Sequence, residues 1–337
     1  SILFLVVFLV FCANVINIAA DIAAVAASIQ LLVPVPQAVT AIVFVLVVVC
    51  LEVFIGYHQY ARILKILAVA LLSYVATALL VAEPWTDIVH NTFVPHIEFT
   101  PAYAAMLVAI LGTTISPYMF FWQAAEEVEE IEDAERDGRG HRSLHALRID
   151  NAVGMTISQV GSWFMMVTTG TVLHFNGVTT IETAADAASA LEPLVQSFPN
   201  AGTAAKVIFA VGIIGMGLLG IPVLAGSASY AVAEAFGWEE GLARRPSDAR
   251  AFYGVLVAAM VIGLGLTLFG FDPIHLLIFA AVINGVVSIP LILLIGRLAR
   301  DPMVMGSLAS GRLSRVMLLV TLVVVSLAVL TMFATML

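Results

Sequence analysis

Long apolar runs, separated by short polar segments, make up most of this sequence. A hydrocarbon core about 30 Å thick is crossed by roughly 20 apolar helical residues, and several of the runs reach that length. No low-complexity linker divides them, so the pattern predicts one transmembrane domain over residues 1–337, a polytopic helical bundle of the all-α class. Its nine predicted helices lie at about 2–33, 38–57, 62–82, 101–125, 151–174, 203–235, 249–270, 273–296 and 314–336.

The composition is typical of a membrane protein. Hydrophobic residues make up 61% of the sequence and charged residues 11%, and the mean hydropathy is +1.07. A soluble domain of this size carries more polar surface, which excludes that class and makes the lipid bilayer a predicted partner. A net charge of −9 argues against a nucleic-acid partner, which would need a basic face. The oligomeric state is left open.

The distribution of basic residues predicts how the chain is oriented in the membrane. With nine alternating crossings, thirteen of the fourteen Lys and Arg residues fall in loops on one side, and only Lys206 falls on the other. Basic loops stay in the cytoplasm, so the first side is predicted to be cytoplasmic. The thirteen are Arg62, Lys65, Arg136, Arg139, Arg142, Arg148, Arg244, Arg245, Arg250, Arg297, Arg300, Arg312 and Arg315.

Two further segments of the sequence support predictions. The chain opens at Ser1 directly in an apolar run, without a basic segment or a cleavage site, so it is not read as a signal peptide. We expect instead that the sequence is truncated at this end. Residues 83–100 are predicted to form a loop, with Trp85 at the membrane interface.

A carboxylate within the first crossing is the first candidate for chemistry. Asp21 costs about 2.5–3.5 kcal/mol to insert at the membrane centre, so it is expected to face a polar interior. Asn14, Asn17 and Ser28 lie on a similar helical face. The four residues form either a polar stripe along an ion pathway or a set of structural interhelical hydrogen bonds.

The fourth crossing contains the strongest candidate site. Pro117 lacks an amide donor and clashes with the preceding turn, so carbonyls near Thr113 are expected to lose their partners. Unwound backbone at membrane depth is tolerated where it lines a cavity, and secondary transporters use such carbonyls to coordinate ions. The alternative is a simple proline kink. The interruption consists of Gly112, Thr113, Thr114, Ser116 and Pro117.

Three other features remain open between two interpretations. Asn284 is an isolated carboxamide in an apolar helix, and it either contacts an ion or makes a structural hydrogen bond. The eight acidic residues between Glu126 and Asp137 either extend the fourth helix into solvent or gather cations. The glycines between Gly212 and Gly226 indicate close helix packing, with a hinge as the alternative.

No motif of a soluble enzyme occurs in the sequence: there is no Walker loop, dinucleotide fingerprint, HExxH or GxSxG. The chain is therefore not expected to be an enzyme or to hold a cofactor. A bound metal would be the transported ion.

Three stretches, NIAADIAAVAASIQLL, GTTISPYMFFWQAAEEVEE and LLGIPVLAGSASYAVAEAFGW, resemble the Nramp divalent-metal transporters, and are most similar to the bacterial branch associated with manganese and magnesium. The resemblance implies an inverted-repeat fold of the LeuT-like type, from the family's third helix to its eleventh. It also implies an integral protein of the bacterial inner membrane. The family's metal site lies between two unwound helices, and the first of them, with its Asp-Pro-Gly-Asn motif, is missing from this sequence.

The remaining half of that site departs from the family pattern. Where typical members have Ala-Thr-Val-Met-Pro-His, this chain has Thr113 to Tyr118, so Ser116 replaces the metal-binding methionine and Tyr118 replaces the histidine. In the family's third helix, Asp21 keeps one proton-carrying acid and Ala24 replaces the other. These departures put soft-metal selectivity and proton coupling in doubt.

The sequence therefore predicts a secondary transporter of Mn²⁺ or Mg²⁺ that is not proton-coupled. The predicted metal ligands are Thr113, Ser116 and Asn284, and the predicted pathway residues are Asp21, Thr114, Pro117 and Tyr118. His58 or His174 would be an alternative proton carrier. The alternative functions are an amino-acid or organic-solute carrier of the same fold superfamily, an ion channel, or a structural membrane scaffold.

Overall fold

A computed structural model describes residues 2–55, 72–80, 85–94, 97–136, 144–175, 181–195, 200–242 and 244–336. These residues form thirteen α-helices and two short 3₁₀ turns, and no strand occurs among them. The helices are α1 (Ile2–Gln30), α2 (Gln37–Phe54), α3 (Leu72–Leu80), α4 (Trp85–Phe93), α5 (Pro101–Ile115), α6 (Tyr118–Arg136), α7 (Leu144–Phe175), α8 (Ala184–Ser189), α9 (Ala201–Phe236), α10 (Arg250–Leu268), α11 (Pro273–Leu298), α12 (Pro302–Met305) and α13 (Arg312–Met336).

Seven helical stretches within the described residues are long and apolar enough to cross a membrane. They coincide with seven of the predicted crossings, and the chain is an all-α polytopic membrane protein. The stretches are Leu3–Gln30, Gln37–Phe54, Pro101–Glu129, Ala201–Phe236, Arg250–Leu268, Pro273–Leu298 and Arg312–Met336.

The other two predicted crossings, and one predicted loop, differ from the expectation. Of the crossing at 62–82, only Leu72–Leu80 is described, and the rest lies outside the described residues. The crossing at 151–174 is helical but begins earlier, at Leu144. The prediction of an unbroken loop at 83–100 is wrong, because Trp85–Phe93 forms a helix with a high proportion of polar side chains and no buried residue.

The ends of the helices agree with the predicted orientation. The ring centroids of Phe4 and Phe236 lie 5.4 Å apart, so the start of α1 meets the end of α9. Arg244 and Arg297 line a cavity together with Leu3 at this same end of the molecule. The basic side chains that the structure describes here therefore share one face, the predicted cytoplasmic face.

Helix α1 is the centre of the bundle. It contacts α2, α9, α10 and α11, and Ile18 and Ile22 on it are completely buried. A helix that is apolar on all sides is covered on all sides by protein or lipid, and about half of α1 is buried by protein. Two of its polar residues, Asn14 and Asn17, hydrogen-bond to other helices.

Helices α5 and α11 approach each other at a pair of glycines. A methyl group on Gly285 would lie 2.8 Å from the carbonyl oxygen of Val108, and one on Gly112 would overlap the backbone of Ala281 and Gly285. Small residues at membrane helix contacts allow such close backbone approach. This contact fixes the position of α11 along the axis of α5.

We predict that Gly112→Ala destabilises the protein by about 1–3 kcal/mol, the usual cost of overpacking, because the methyl group meets rigid backbone. The measurement is the thermal unfolding midpoint of purified protein in detergent. Gly265→Ala in α10 is the matched control, because a methyl group there has no neighbour within 4 Å. Equal midpoints for the two variants would contradict the close approach.

Candidate functional site

The helix predicted as the fourth crossing is interrupted near its middle. α5 ends at Ile115 and α6 begins at Tyr118, with Ser116 and Pro117 between them. Pro117 has no amide hydrogen and cannot continue the hydrogen-bond ladder. Ser116 takes a left-handed conformation, with φ 45° and ψ 77°, which costs an L-residue roughly 1–2 kcal/mol. The break is present, and its central residue is strained.

Some carbonyl groups at the break accept a hydrogen bond and others do not. The amide of Ser116 donates to the carbonyl of Gly112 at 3.0 Å, and its hydroxyl donates to the carbonyl of Thr113. The carbonyls expected to lose their partners are those near Thr113, and the carbonyl of Thr113 itself is satisfied by Ser116. No described residue donates to the carbonyls of Thr114 and Ile115. These two are the free acceptors at the end of α5.

The side chains of Thr113 and Thr114 point away from the other predicted site residues. Both are exposed, and the Thr114 hydroxyl donates back to the carbonyl of Ile110 at 2.7 Å. Among the described contacts, neither hydroxyl reaches Asp21 or Asn284.

A second group of predicted residues does come together beside the break. The Tyr118 side chain lies close to the side chain of Ser116 and interacts electrostatically with Asp21. The Asp21 carboxylate faces α9, where a methyl group on Gly220 would lie 3.6 Å from its Oδ2 atom. The sequence did not identify Gly220 as a neighbour of this carboxylate.

Asn284 makes reciprocal hydrogen bonds with Asn17. The Asn17 Nδ2 atom donates to Asn284 Oδ1 at 2.8 Å, and Asn284 Nδ2 donates to Asn17 Oδ1 at 2.9 Å. Asn284 precedes Gly285, so the pair lies next to the α5–α11 contact. Sequence reasoning treated the two residues separately. The available signal was that both are carboxamides within apolar helices.

The other polar residues of α1 bond to backbone. Asn14 Nδ2 donates to the carbonyl of Leu224 in α9 at 3.1 Å, and Ser28 donates to Ala24 within its own helix. Of the predicted polar stripe, Asn17 and Asp21 therefore face other predicted site residues, whereas Asn14 and Ser28 make structural hydrogen bonds.

The start of α6 is held by α9. Ser227 donates to the carbonyl of Tyr118 at 2.9 Å, and the Trp122 ring packs against Gly226. The predicted glycine-rich crossing therefore serves close packing here. Sequence reasoning gave Ser227 no role.

All these residues lie at similar depth. The spans Leu3–Gln30, Pro101–Glu129, Ala201–Phe236 and Pro273–Leu298 have their midpoints close to Asn17, the break, Gly220 and Asn284, respectively. The site is therefore near the centre of the membrane, where an unpaired polar group is most costly.

A cavity of about 760 Å³ lies between this region and the cytoplasmic end. Its walls are mainly apolar, with Phe120 and Phe121 on the side of the break. At the other end it is lined by acidic side chains, including Glu234 and Glu239. The acidic run of α6 is helical as far as Arg136, and Glu129 from it lines the cavity.

The chemistry available at the break favours a cation held by oxygen atoms. Within the described residues, no group of three or more His, Cys, Asp or Glu side chains could hold a metal ion. The oxygen atoms gathered here are two free carbonyls, the Ser116 hydroxyl and the Asp21 carboxylate. The end of α5 carries the negative end of its helix dipole, which also attracts a cation.

Comparison with known proteins gives one family and one relative. The family model described as Nramp, Natural resistance-associated macrophage protein-like, matches residues 1–335. The Divalent metal cation transporter MntH of Caldanaerobacter subterraneus subsp. tengcongensis is 30% identical over 144 residues, which are 41% of this chain and 32% of that protein. The matched region thus spans about a third of the curated relative's length.

Proposed function

Because this chain belongs to the Nramp family, we propose that it moves divalent metal cations across a bacterial plasma membrane as a secondary transporter. The same membership means that it is not an enzyme. The observation that carries the proposal is the interrupted helix at mid-membrane. The free carbonyls at the end of α5 lie in this break beside Ser116, and the Tyr118 side chain lies close to Ser116 and Asp21. Residues 1–337 are proposed to form one transmembrane domain of this transporter, and Mn²⁺ and Mg²⁺ are its proposed substrates.

The proposed ligands are oxygen atoms. Ser116 supplies its hydroxyl and Asn284 its carboxamide oxygen. Thr113 remains a ligand through its carbonyl oxygen, which accepts from Ser116 with one lone pair and has a second one available. The free carbonyls of Thr114 and Ile115 are added to this set. Asp21 and Tyr118 line the pathway, and Thr114 and Pro117 shape it by interrupting the helix.

The organic-solute alternative would need the start of α6 to bind an anionic group. Two of its first three amides are already used, since Met119 donates to Ser116 at 2.9 Å and Phe120 donates to Pro117 at 3.3 Å. Few donors are left for a carboxylate, which favours a cation as the substrate.

The experiment that tests the proposal is uptake of Mn²⁺ and Mg²⁺ into liposomes that contain the full-length protein. We expect saturable uptake that is faster when the same ion is already inside, because a carrier returns loaded more readily than empty. Uptake that rises linearly with concentration would favour a channel. Amino-acid uptake without metal uptake would favour the organic-solute carrier.

We predict that Ser116→Met reduces Mg²⁺ uptake at least tenfold and keeps or raises Cd²⁺ uptake. Mg²⁺ prefers oxygen ligands and keeps several waters, and the thioether takes away both the oxygen and the room for water. Uptake of each ion over a concentration series is the measurement.

Ser116→Ala is the matched control for this variant. It removes the hydroxyl without adding sulfur or bulk, so we expect it to weaken Mg²⁺ uptake without improving Cd²⁺ uptake. Unchanged Mg²⁺ uptake in Ser116→Met would remove Ser116 from the site.

We also predict that transport is not coupled to protons. Coupling needs a chain of groups that exchange protons near neutral pH. Beside Asp21 stands Tyr118, and an unperturbed tyrosine titrates near 10. Ala24, one turn further on, cannot titrate. His58 and the side chain of His174 lie outside the described residues.

A pH-sensitive dye inside the liposomes, at clamped voltage, measures this directly. We expect Mn²⁺ uptake without metal-dependent acidification. Acidification that tracks the metal flux would overturn the prediction, and its loss in Asp21→Asn would identify Asp21 as the carrier of the proton.

A further inference from the structure

The Asn17–Asn284 pair stands out because it joins a carboxamide of α1 to the single carboxamide of α11 at mid-membrane. Both are bonded through both halves of the amide, at 2.8 and 2.9 Å, and Asn284 is only 4% exposed. A hydrogen bond in this low-dielectric setting is stronger than in water, so the pair restrains both side chains.

A third contact removes an ambiguity in how the pair is oriented. Two reciprocally bonded carboxamides would keep the same bonds if both were flipped together. Asn17 Nδ2, however, also donates to the carbonyl of Ala13 at 2.7 Å. A flip would bring the Asn17 oxygen against that carbonyl, so Ala13 fixes Asn17, and Asn17 fixes which atom of Asn284 is the oxygen.

From this geometry we infer that Asn17 is a positioning residue for ion binding, which presets the carboxamide oxygen of Asn284 toward the transported divalent cation. This inference rests on the proposed function. A carboxamide oxygen has two lone pairs, so Asn284 Oδ1 can accept from Asn17 and still offer the other lone pair to an ion. Asn17 would then orient the ligand Asn284 without binding the ion itself, as the hydrogen-bonding partners of metal ligands generally do.

The test measures the Mn²⁺ concentration at half-maximal uptake (KM) for the full-length protein and its variants in liposomes. We expect Asn17→Ala to raise KM about tenfold, since loss of an outer partner of a metal ligand typically costs 10–100-fold in affinity. Asn17→Leu, which refills the space with an apolar side chain, is expected to do the same and guards against a folding defect. KM does not depend on how much protein folds, so a mere loss of folded protein would not change it.

Two comparisons make the assignment specific. Asn14→Ala also removes a buried carboxamide hydrogen bond from α1, but to the Leu224 carbonyl, so we expect its KM to be unchanged. In an Asn284→Ala background, Asn17→Ala is expected to have no further effect on KM, because residues that act through one another are not additive.

Each result has a distinct consequence. An unchanged KM in Asn17→Ala and Asn17→Leu, or a rise that persists without Asn284, would overturn the inference while leaving the proposed function intact. If the unaltered protein shows no saturable Mn²⁺ or Mg²⁺ uptake, the proposed function fails, and the inference fails with it.

Discussion

The rest of the site depends on the rule that backbone polar groups within a bilayer must be satisfied by protein or by something that protein surrounds. Pro117 has no amide donor, so it leaves carbonyl groups of a long helix without partners at mid-membrane. Ser116 compensates in part, because its amide and hydroxyl donate to the carbonyls of Gly112 and Thr113. The carbonyls of Thr114 and Ile115 are left without a described donor. A strained residue and two free acceptors at this depth are what a cation site would use.

The surrounding helices keep this arrangement in place by packing closely. The contact of Gly112 with Gly285 sets α11 beside the end of α5, and Ser227 holds the start of α6 to α9. Gly220 lies beside the Asp21 carboxylate. Because lipid supplies little hydrophobic drive between helices, such close contacts and buried hydrogen bonds carry the specificity of the fold. Substitutions at small residues far from any ion ligand can therefore shift the site.

The replacement of a methionine by Ser116 and of a histidine by Tyr118, relative to the family pattern, changes the chemistry more than the shape. Oxygen takes the place of sulfur, and a phenol takes the place of the imidazole that titrates near neutral pH. The helix of this chain is nevertheless interrupted at Ser116 and Pro117.

The sequence by itself determined the membrane class, seven of the crossings and the position of the break. These depend on local properties, namely the length of apolar runs and the missing amide of Pro117, which do not need tertiary contacts. It could not determine which carbonyls stay free, because the hydroxyl of Ser116 satisfies Thr113 through a backbone conformation that is unusual for serine. It also could not pair Asn17 with Asn284, since 267 residues separate them and only the crossing of α1 with α11 brings them together. The Trp85–Phe93 helix was missed because it lacks the apolar length on which the other helices were predicted.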